Sequence, residues 1–288
     1  MNDLNTVAET LQGGARLLHR HSGSARLDAE LLLGRILGLS RSGLIARGNE
    51  RVAAECARAY AGLIDRRLRG APVAYLTGTR EFWSLPLRVT PAVLVPRPET
   101  EVLVELALQR LPRDLPAAVL DLGTGSGAIA LAIASERPRS RITAVDISPP
   151  ALEVAMQNSS DLGLSHIDWR LGSWFAPVNG ERFDMIVANP PYIAAADPAL
   201  ASLAAEPRIA LCDGPTGLEA LSAIAAGAPA HLNELGWLIL EHGSDQAPAV
   251  AQLLTRHGFA GIGSHRDLSG KPRVTLGTLH SPQGNATS

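Results

Sequence analysis

The sequence predicts an α/β protein with a mostly parallel, doubly wound sheet, preceded by a small helical bundle. Three observations carry this. Apolar residues recur at helical spacing from Val7 to about Arg69. From Ala117 onward β-type runs alternate with helical ones; a helix between two strands returns the chain in the same direction, which builds a parallel sheet. The first of those strands runs straight into a glycine loop, Gly123-Thr124-Gly125-Ser126-Gly127, that opens a helix. At 288 residues the chain has room for both parts.

In chain order, Val7, Leu11, Ala15 and Leu18 share one helical face, and Leu27, Leu31, Leu32, Ile36 and Leu37 share another. A third helix is expected over 53–68, stopped by Gly70-Ala71-Pro72. Residues 81–89 place aromatic and branched side chains around Pro86, as a hairpin or extended connector does. Pro91, Pro96 and Pro98 then lead into a helix from near Glu99, with Glu99 and Glu101 at the positive end of its dipole. Strands follow at 118–122, 141–146, 167–171, 183–188 and 236–241, and helices at 128–136, 150–162 and 218–232. After a helix near 247–257, runs at 258–265 and 273–279 are close enough in sequence to pair antiparallel at the sheet edge. The polar tail from Ser281 is expected to fray. The expected domains are 1–79, a connector at 80–98, and 99–288.

A hydrophobic content of 46% with mixed charge describes a soluble globular chain. No run of 18 apolar residues is free of charge, and Met1-Asn2-Asp3-Leu4 has no basic region before an apolar core, so neither a membrane span nor a secretory signal is expected. Cys56 and Cys212 form no CxxC pair and read as reduced residues of a cytoplasmic protein. The eight histidines form no HExxH set, so no metal is expected. Residues 1–80 hold 12 Arg against 7 acidic residues, a net +5, whereas 81–288 carry −7. A basic bundle suits an acidic partner or an RNA surface, and arginines solvated on helix faces explain the excess equally well.

Glycines in the loop permit positive φ and let the backbone approach a ligand without a Cβ in the way. Asp146 closes the next strand, where a carboxylate can accept both hydroxyls of a ribose. Gly123-x-Gly125-x-x-Ala128 also satisfies the relaxed dinucleotide fingerprint, so NAD and S-adenosylmethionine (SAM) both stay open. Two features favour the methyl donor. Asp121, before the first glycine, suits a sulfonium or amino group better than a pyrophosphate, and Gly127 opens the loop more than a dinucleotide turn requires.

Asn189-Pro190-Pro191-Tyr192 follows the apolar run 183–188. Two prolines supply no backbone N–H, so the chain must leave the sheet as a rigid loop. The Asn189 side chain and the Pro190 carbonyl then become fixed polar groups, able to hold an –NH2 on a flat, conjugated carbon. Methylation of an amide or exocyclic amine is the chemistry this implies, with Asn189 as a mere turn former the plainer alternative.

Together the glycine loop, Asp146 and Asn-Pro-Pro-Tyr resemble a class I SAM-dependent methyltransferase (Rossmann-like) acting on a planar nitrogen. The resemblance narrows with Arg80-Glu81-Phe82-Trp83-Ser84-Leu85-Pro86-Leu87, Val95-Pro96-Arg97-Pro98-Glu99-Thr100-Glu101 and Glu241-His242-Gly243, which occur in order around those motifs. The set closely resembles the PrmC (HemK) family, the release-factor glutamine methyltransferases, from about residue 5 to 280. The connector reads differently in the related ribosomal-protein enzymes.

This resemblance implies that Gly123, Thr124, Gly125, Ser126 and Gly127 cradle the methionine part of SAM, that Asp146 holds its ribose, and that Trp174 lies at the adenine end. It places Asn189 beside both cofactor and substrate, and has Asn189, Pro190, Pro191 and Tyr192 bind the target amide. On that reading the Asn189 oxygen and the Pro190 carbonyl each accept one N–H, and Tyr192 packs on the flat amide. The bundle is implied to dock class I peptide chain release factors, whose Gly-Gly-Gln loop carries the glutamine. A cytoplasmic monomer with no stable nucleic-acid or membrane partner is expected. His242 as a catalytic base is the lesser reading of its motif, and Arg97 and Glu99 are read equally as helix-start chemistry.

Two departures stand out. Ser173 replaces the family's usual acidic residue before Trp174, and Ser202-Leu203-Ala204-Ala205 lacks the usual aromatic and charged residues before Glu206-Pro207. Rival functions are an adenine- or guanine-amine methyltransferase of nucleic acid, disfavoured by an acidic catalytic half and a single lysine, Lys271, and a non-catalytic SAM-binding module.

Overall fold

The computed structural model describes residues 5–279, so the tail from Ser281 lies outside the described residues. The chain divides into two compact units, residues 1–79 and 80–288.

The first unit contains α1 (Val7–Leu18), α2 (Ala25–Leu37), α3 (Arg41–Ala46), α4 (Ala54–Leu68) and α5 (Val73–Thr77). A reciprocal capping box starts α1: Thr6 Oγ1 accepts from Glu9 N at 3.2 Å, and Thr6 N donates to Glu9 Oε2 at 2.7 Å. The face expected for α2 is rotated. Ala29, Leu32 and Leu33 are buried, while Leu27 and Leu31 are each 40% exposed. Acidic residues cause the error, because α2 buries Asp28 and Glu30 as well. Asp28 accepts from Ser22, Ser24 and Arg67, and Glu30 from Arg26 and Arg41. Part of the bundle's arginine excess is therefore spent on its own buried carboxylates, which need paired charge.

The second unit opens with a hairpin, β1 (Thr79–Phe82) and β2 (Leu85–Arg88). Its two-residue turn, Trp83-Ser84, has φ of 52° and 59°, the left-handed pair that matches strand twist but disfavours residues with a Cβ. Glu101 compensates by accepting from Trp83 N at 2.9 Å, and Glu136 accepts from the indole N–H at 3.0 Å. Then follow α6 (Glu101–Arg110), β3 (Ala118–Leu122), α7 (Ala128–Glu136), β4 (Arg141–Asp146), α8 (Pro149–Asp161), β5 (Ile167–Leu171) and β6 (Phe183–Ala188). The chain ends with α9 (Ala199–Ser202), α10 (Glu219–His231), β7 (Leu232–Glu241), α11 (Ala247–Arg256), β8 (Phe259–Arg266) and β9 (Pro272–Leu279).

Among the described residues, β3 to β9 form a seven-stranded sheet in the order β5-β4-β3-β6-β7-β9-β8. Strands β3 to β7 pair in parallel, and β9 pairs antiparallel with β7 and β8. Alternate residues of a strand feed separate cores. Val119, Met185 and Val187 pack with α6 and α7 residues on one face; Leu120, Leu122, Ile186 and Ala188 pack with α10 and α11 residues on the other. Strand β7 begins at Leu232, four residues before the expected start. Leu235 at φ 59° and a register shift opposite Phe183 and Met185 break its pattern there. Among the described residues no helix is long and apolar enough to cross a membrane.

Candidate active site

The chain winds outward from β3 through β4 to β5, then crosses to β6 on the other side of β3. Such a reversal leaves a crevice at the carboxyl ends of the strands. Register fixes what stands there. Leu122 pairs with Val145 and Ala188, Asp146 with Leu171, and Ala188 with Leu240. Gly172, Asp146, Gly123, Asn189 and Glu241 therefore follow one another along a single edge of the sheet, each from a different strand.

A cavity of about 330 Å³ opens on this edge, within the size range of small-molecule sites. Gly123, Thr124, Gly125, Ser126, Asp146, Trp174, Asn189 and Pro191 line it, as does Ser173. The rest of its wall includes Ala92, Val93, Leu94, Pro96 and Arg97, together with Ile209, Ala210, Cys212 and Asp213. Three expected members, Gly127, Pro190 and Tyr192, are missing from its lining. Gly127 caps α7 at φ 81°, and a Cβ there would lie 3.0 Å from Trp169 and 3.1 Å from Leu131, so it serves helix packing. Pro190 is buried and lines neither this cavity nor the smaller one beside it. That second cavity, about 70 Å³, contains Tyr192 and shares Leu94, Arg97, Asn189 and Ala210 with the first. Asn189 thus stands at the junction of the two.

The glycine loop is held by its neighbours. Gly123 N and Thr124 N both donate to Val145 O, at 2.8 and 3.0 Å. Gly125 N donates to Asp146 Oδ2 at 2.8 Å, and Ser148 N to Oδ1 at 2.9 Å. Burial nonetheless lifts the Asp146 carboxyl above its ordinary value. At Gly125 a Cβ would meet nothing within 4 Å, so open space begins at the backbone itself. Asp121 corrects the sequence reading. It is fully buried, off the cavity wall, and accepts from Thr124 Oγ1 at 2.6 Å; burial pushes its carboxyl up to about 7. Its place is beneath the loop.

The Asn-Pro-Pro-Tyr loop is braced at both ends. Asn189 Nδ2 donates to Thr100 Oγ1 at 3.2 Å, and Tyr192 Oη to Glu241 Oε1 at 3.3 Å. Gln246 Nε2 donates to Tyr192 O at 3.0 Å. His242 is buried with both ring nitrogens engaged, Nδ1 on Gly243 O and Nε2 on Thr275 Oγ1, each at 2.8 Å. Burial also lowers its proton affinity. It is off the cavity wall and braces the sheet.

Other residues of the site escaped the sequence reading. Glu206 is buried; it accepts from Val95 N at 3.0 Å and from Arg97 Nη2, so it ties the 92–97 wall to the segment that leads into Ile209. Arg97 is thereby more than a helix start. Asn158, buried on α8, accepts from Arg88 N at 2.7 Å and donates to Arg88 O at 3.1 Å and Ser126 O at 2.9 Å, joining the hairpin to the glycine loop. The only signal for Glu206 was the Glu-Pro pair; Asn158 had none. Among the described residues no group of three or more His, Cys, Asp or Glu could hold a metal ion.

Comparison with known proteins gives matches over both units. Residues 9–78 match the PrmC N-terminal domain model, and residues 100–206 the methyltransferase small domain model. A protein of Xylella fastidiosa (strain Temecula1) is 50% identical, covering 88% of this chain and 92% of its own; one of Salmonella typhimurium is 46% identical, covering 90% and 94%. Each is called a release factor glutamine methyltransferase. The Thermus thermophilus 16S rRNA N2 G1207 methyltransferase, solved with AdoMet and guanosine, shares the fold at a TM-score of 0.53 and 18% identity, covering 70% of this chain and 50% of that one.

Proposed function

We propose that this chain, which belongs to the release factor glutamine methyltransferase family, transfers a methyl group from SAM to the side-chain amide nitrogen of the glutamine in the Gly-Gly-Gln motif of class I peptide chain release factors. Its fold is the class I SAM-dependent methyltransferase fold. The observation that carries the reading is the position of Asn189, at the junction of a nucleoside-sized cavity and a small one.

Three features fit SAM to the larger cavity: the open space above Gly125, the Asp146 carboxylate on its wall, and Ser173-Trp174 past the end of β5. Gly123, Thr124, Gly125 and Ser126 would hold the methionine part, Asp146 the ribose and Trp174 the adenine, with Gly127 keeping α7 in place beneath them. When bound, SAM supplies a methyl group on a positively charged sulfur.

The chain's own task is to make an amide nitrogen attack. Its lone pair is delocalised into the carbonyl, so orientation and stabilisation of positive charge on nitrogen must do the work. Because Asn189 Nδ2 is engaged by Thr100, Asn189 Oδ1 is the end available to accept a substrate N–H. Pro190 is buried and lines neither cavity, so its carbonyl can take the second N–H only if the proline loop shifts as glutamine enters. Pro191 lines the larger cavity and Tyr192 the smaller. No strong general base is required, since the proton can leave after transfer.

The first unit, which matches the PrmC N-terminal domain model, would dock the release factor, and the chain would act as a cytoplasmic monomer. Tritiated SAM offered with purified release factor, duplex DNA or rRNA tests the reading. Label should appear on the release factor and vanish when its Gly-Gly-Gln glutamine is changed; label on nucleic acid alone overturns the proposal. A second expectation concerns Ser173. A hydroxyl accepts from the adenine amine more weakly than a carboxylate does, so Ser173→Asp should bind SAM roughly fivefold tighter by calorimetry. Unchanged affinity would remove Ser173 from the adenine site.

A further inference from the structure

Three stretches of the sequence converge behind Asn189: Thr100 before α6, Tyr192 in the proline loop, and Glu241 at the end of β7. Thr100 lines the large cavity yet is only 4% exposed, and its Oγ1 accepts from Asn189 Nδ2. Glu241 is 1% exposed; its Oε1 accepts from Tyr192, and its Oε2 has no hydrogen-bond partner among the described residues. Burial pushes this carboxyl up to about 7, and it does so against the nearby Thr100 hydroxyl and the Arg273 charge, both of which favour the ionised form. Both polar side chains of the proline loop therefore lead back to one buried carboxyl group, Tyr192 directly and Asn189 through Thr100.

A carboxamide has two ends of nearly the same shape and opposite polarity. Only the oxygen can accept from a substrate –NH2; the nitrogen end would set donor against donor. A hydroxyl by itself does not choose between them, since it can accept from Nδ2 or donate to Oδ1. A neighbouring carboxylate, the form Glu241 takes as pH rises past about 7, makes the choice. It draws the hydroxyl hydrogen toward itself, which leaves only lone pairs facing Asn189, so Nδ2 turns to the threonine and Oδ1 to the cavity.

We propose that Thr100, backed by Glu241, is a positioning residue that fixes which end of the Asn189 amide faces the substrate. The inference rests on the glutamine-methylation reading above. It also gives the Pro-Arg-Pro-Glu-Thr-Glu and Glu-His-Gly motifs one shared purpose: each supplies one member of a relay that ends on Asn189.

The test is steady-state transfer from SAM to the release factor, alongside calorimetric SAM binding and thermal melting for every variant. Thr100→Val keeps the shape and removes the hydroxyl. Its kcat should fall about a hundredfold, while the KM for release factor and the affinity for SAM stay within about twofold. Thr100→Ser, which restores the hydroxyl, should recover most of the rate. Glu241→Gln should lower kcat in the same way, and the double variant should be no slower than Thr100→Val alone, as members of one chain are not additive. Losses that multiply in the double variant, or a Thr100→Val enzyme with wild-type kcat, overturn the inference. If the wild type labels no release factor, the proposed function fails with it; if the wild type labels and Thr100→Val labels equally fast, the inference alone fails.

Discussion

Asn189→Ala is expected to lower kcat for methyl transfer by about 10²–10³-fold, the loss typical of removing one fixed polar group from the reacting centre. Binding should change far less. The release factor's docking surface lies mostly outside this cavity on the proposed reading, and SAM would be held by Gly123, Gly125 and Asp146. The fold should tolerate the change as well. Asn189 is half-buried, and its side-chain hydrogen bond to Thr100 is a neutral pair worth about 1 kcal/mol. Independent contacts brace the loop: Gln246 on Tyr192 O, Ile193 N on Leu211 O, and Tyr192 on Glu241. Single-turnover transfer, with release-factor affinity from fluorescence anisotropy, separates the two effects. Equal losses in rate and in docking would reduce Asn189 to a turn former.

The strands and the residues at their ends were legible because each β-loop-α unit is written in a short stretch of chain. The apolar run of β3, its glycines and the helix after them occupy adjacent residues, and the same holds for β4 with Asp146 and β6 with Asn189. A parallel sheet then brings such ends together without further instruction, because all its strands point one way. Side-chain aim was not legible. Asp121 belongs to an alternating strand whose buried face looks no different in sequence from one that meets a ligand, and the structure puts its carboxyl under the loop. Partnership across distance was hidden too. Arg97 and Glu206 are 109 positions apart, Arg88 and Asn158 are 70 apart, and Thr100 and Asn189 are 89 apart. Asn158 lies in the run Gln157-Asn158-Ser159-Ser160, which reads as a solvated helix face until the hairpin and glycine loop close over it. In the first unit Leu27 and Leu31 misled for a related reason: buried acids with arginine partners set the inward face of α2 as much as its leucines did.

Gly217→Ala should do nearly as much damage as Asn189→Ala from a position that touches no ligand. Gly217 has φ +73°, where a residue with a Cβ carries about 1–2 kcal/mol of strain. Space is the larger problem. The added Cβ would lie 2.3 Å from Tyr192 O, 2.9 Å from Tyr192 C and 3.0 Å from Ala194 N. These are backbone atoms, so no rotamer relieves the overlap, and they are not free to retreat. Gln246 Nε2 bridges Tyr192 O and Gly217 O at 3.0 and 3.1 Å, Ile193 N donates to Leu211 O, and Ala195 N to Gly214 O. Either the bridge breaks or the proline loop shifts. A shift on the order of 1 Å at a reacting centre costs about a hundredfold in rate, and overpacking adds roughly 1–3 kcal/mol of destabilisation, which lowers Tm by roughly 2–12 °C for a unit of this size. Gly180→Ala is the control, since Gly180 has φ +82° and nothing within 4 Å of its Cβ position. It should show the strain alone: a smaller drop in Tm and kcat near that of the wild type. If Gly217→Ala behaves like Gly180→Ala in both measurements, the Tyr192–Gly217 contact does not set the loop. If it loses kcat well beyond its loss of Tm, the close approach of two backbones, possible only without a Cβ, is what holds Asn189 and Tyr192 in register with Thr100 and Glu241.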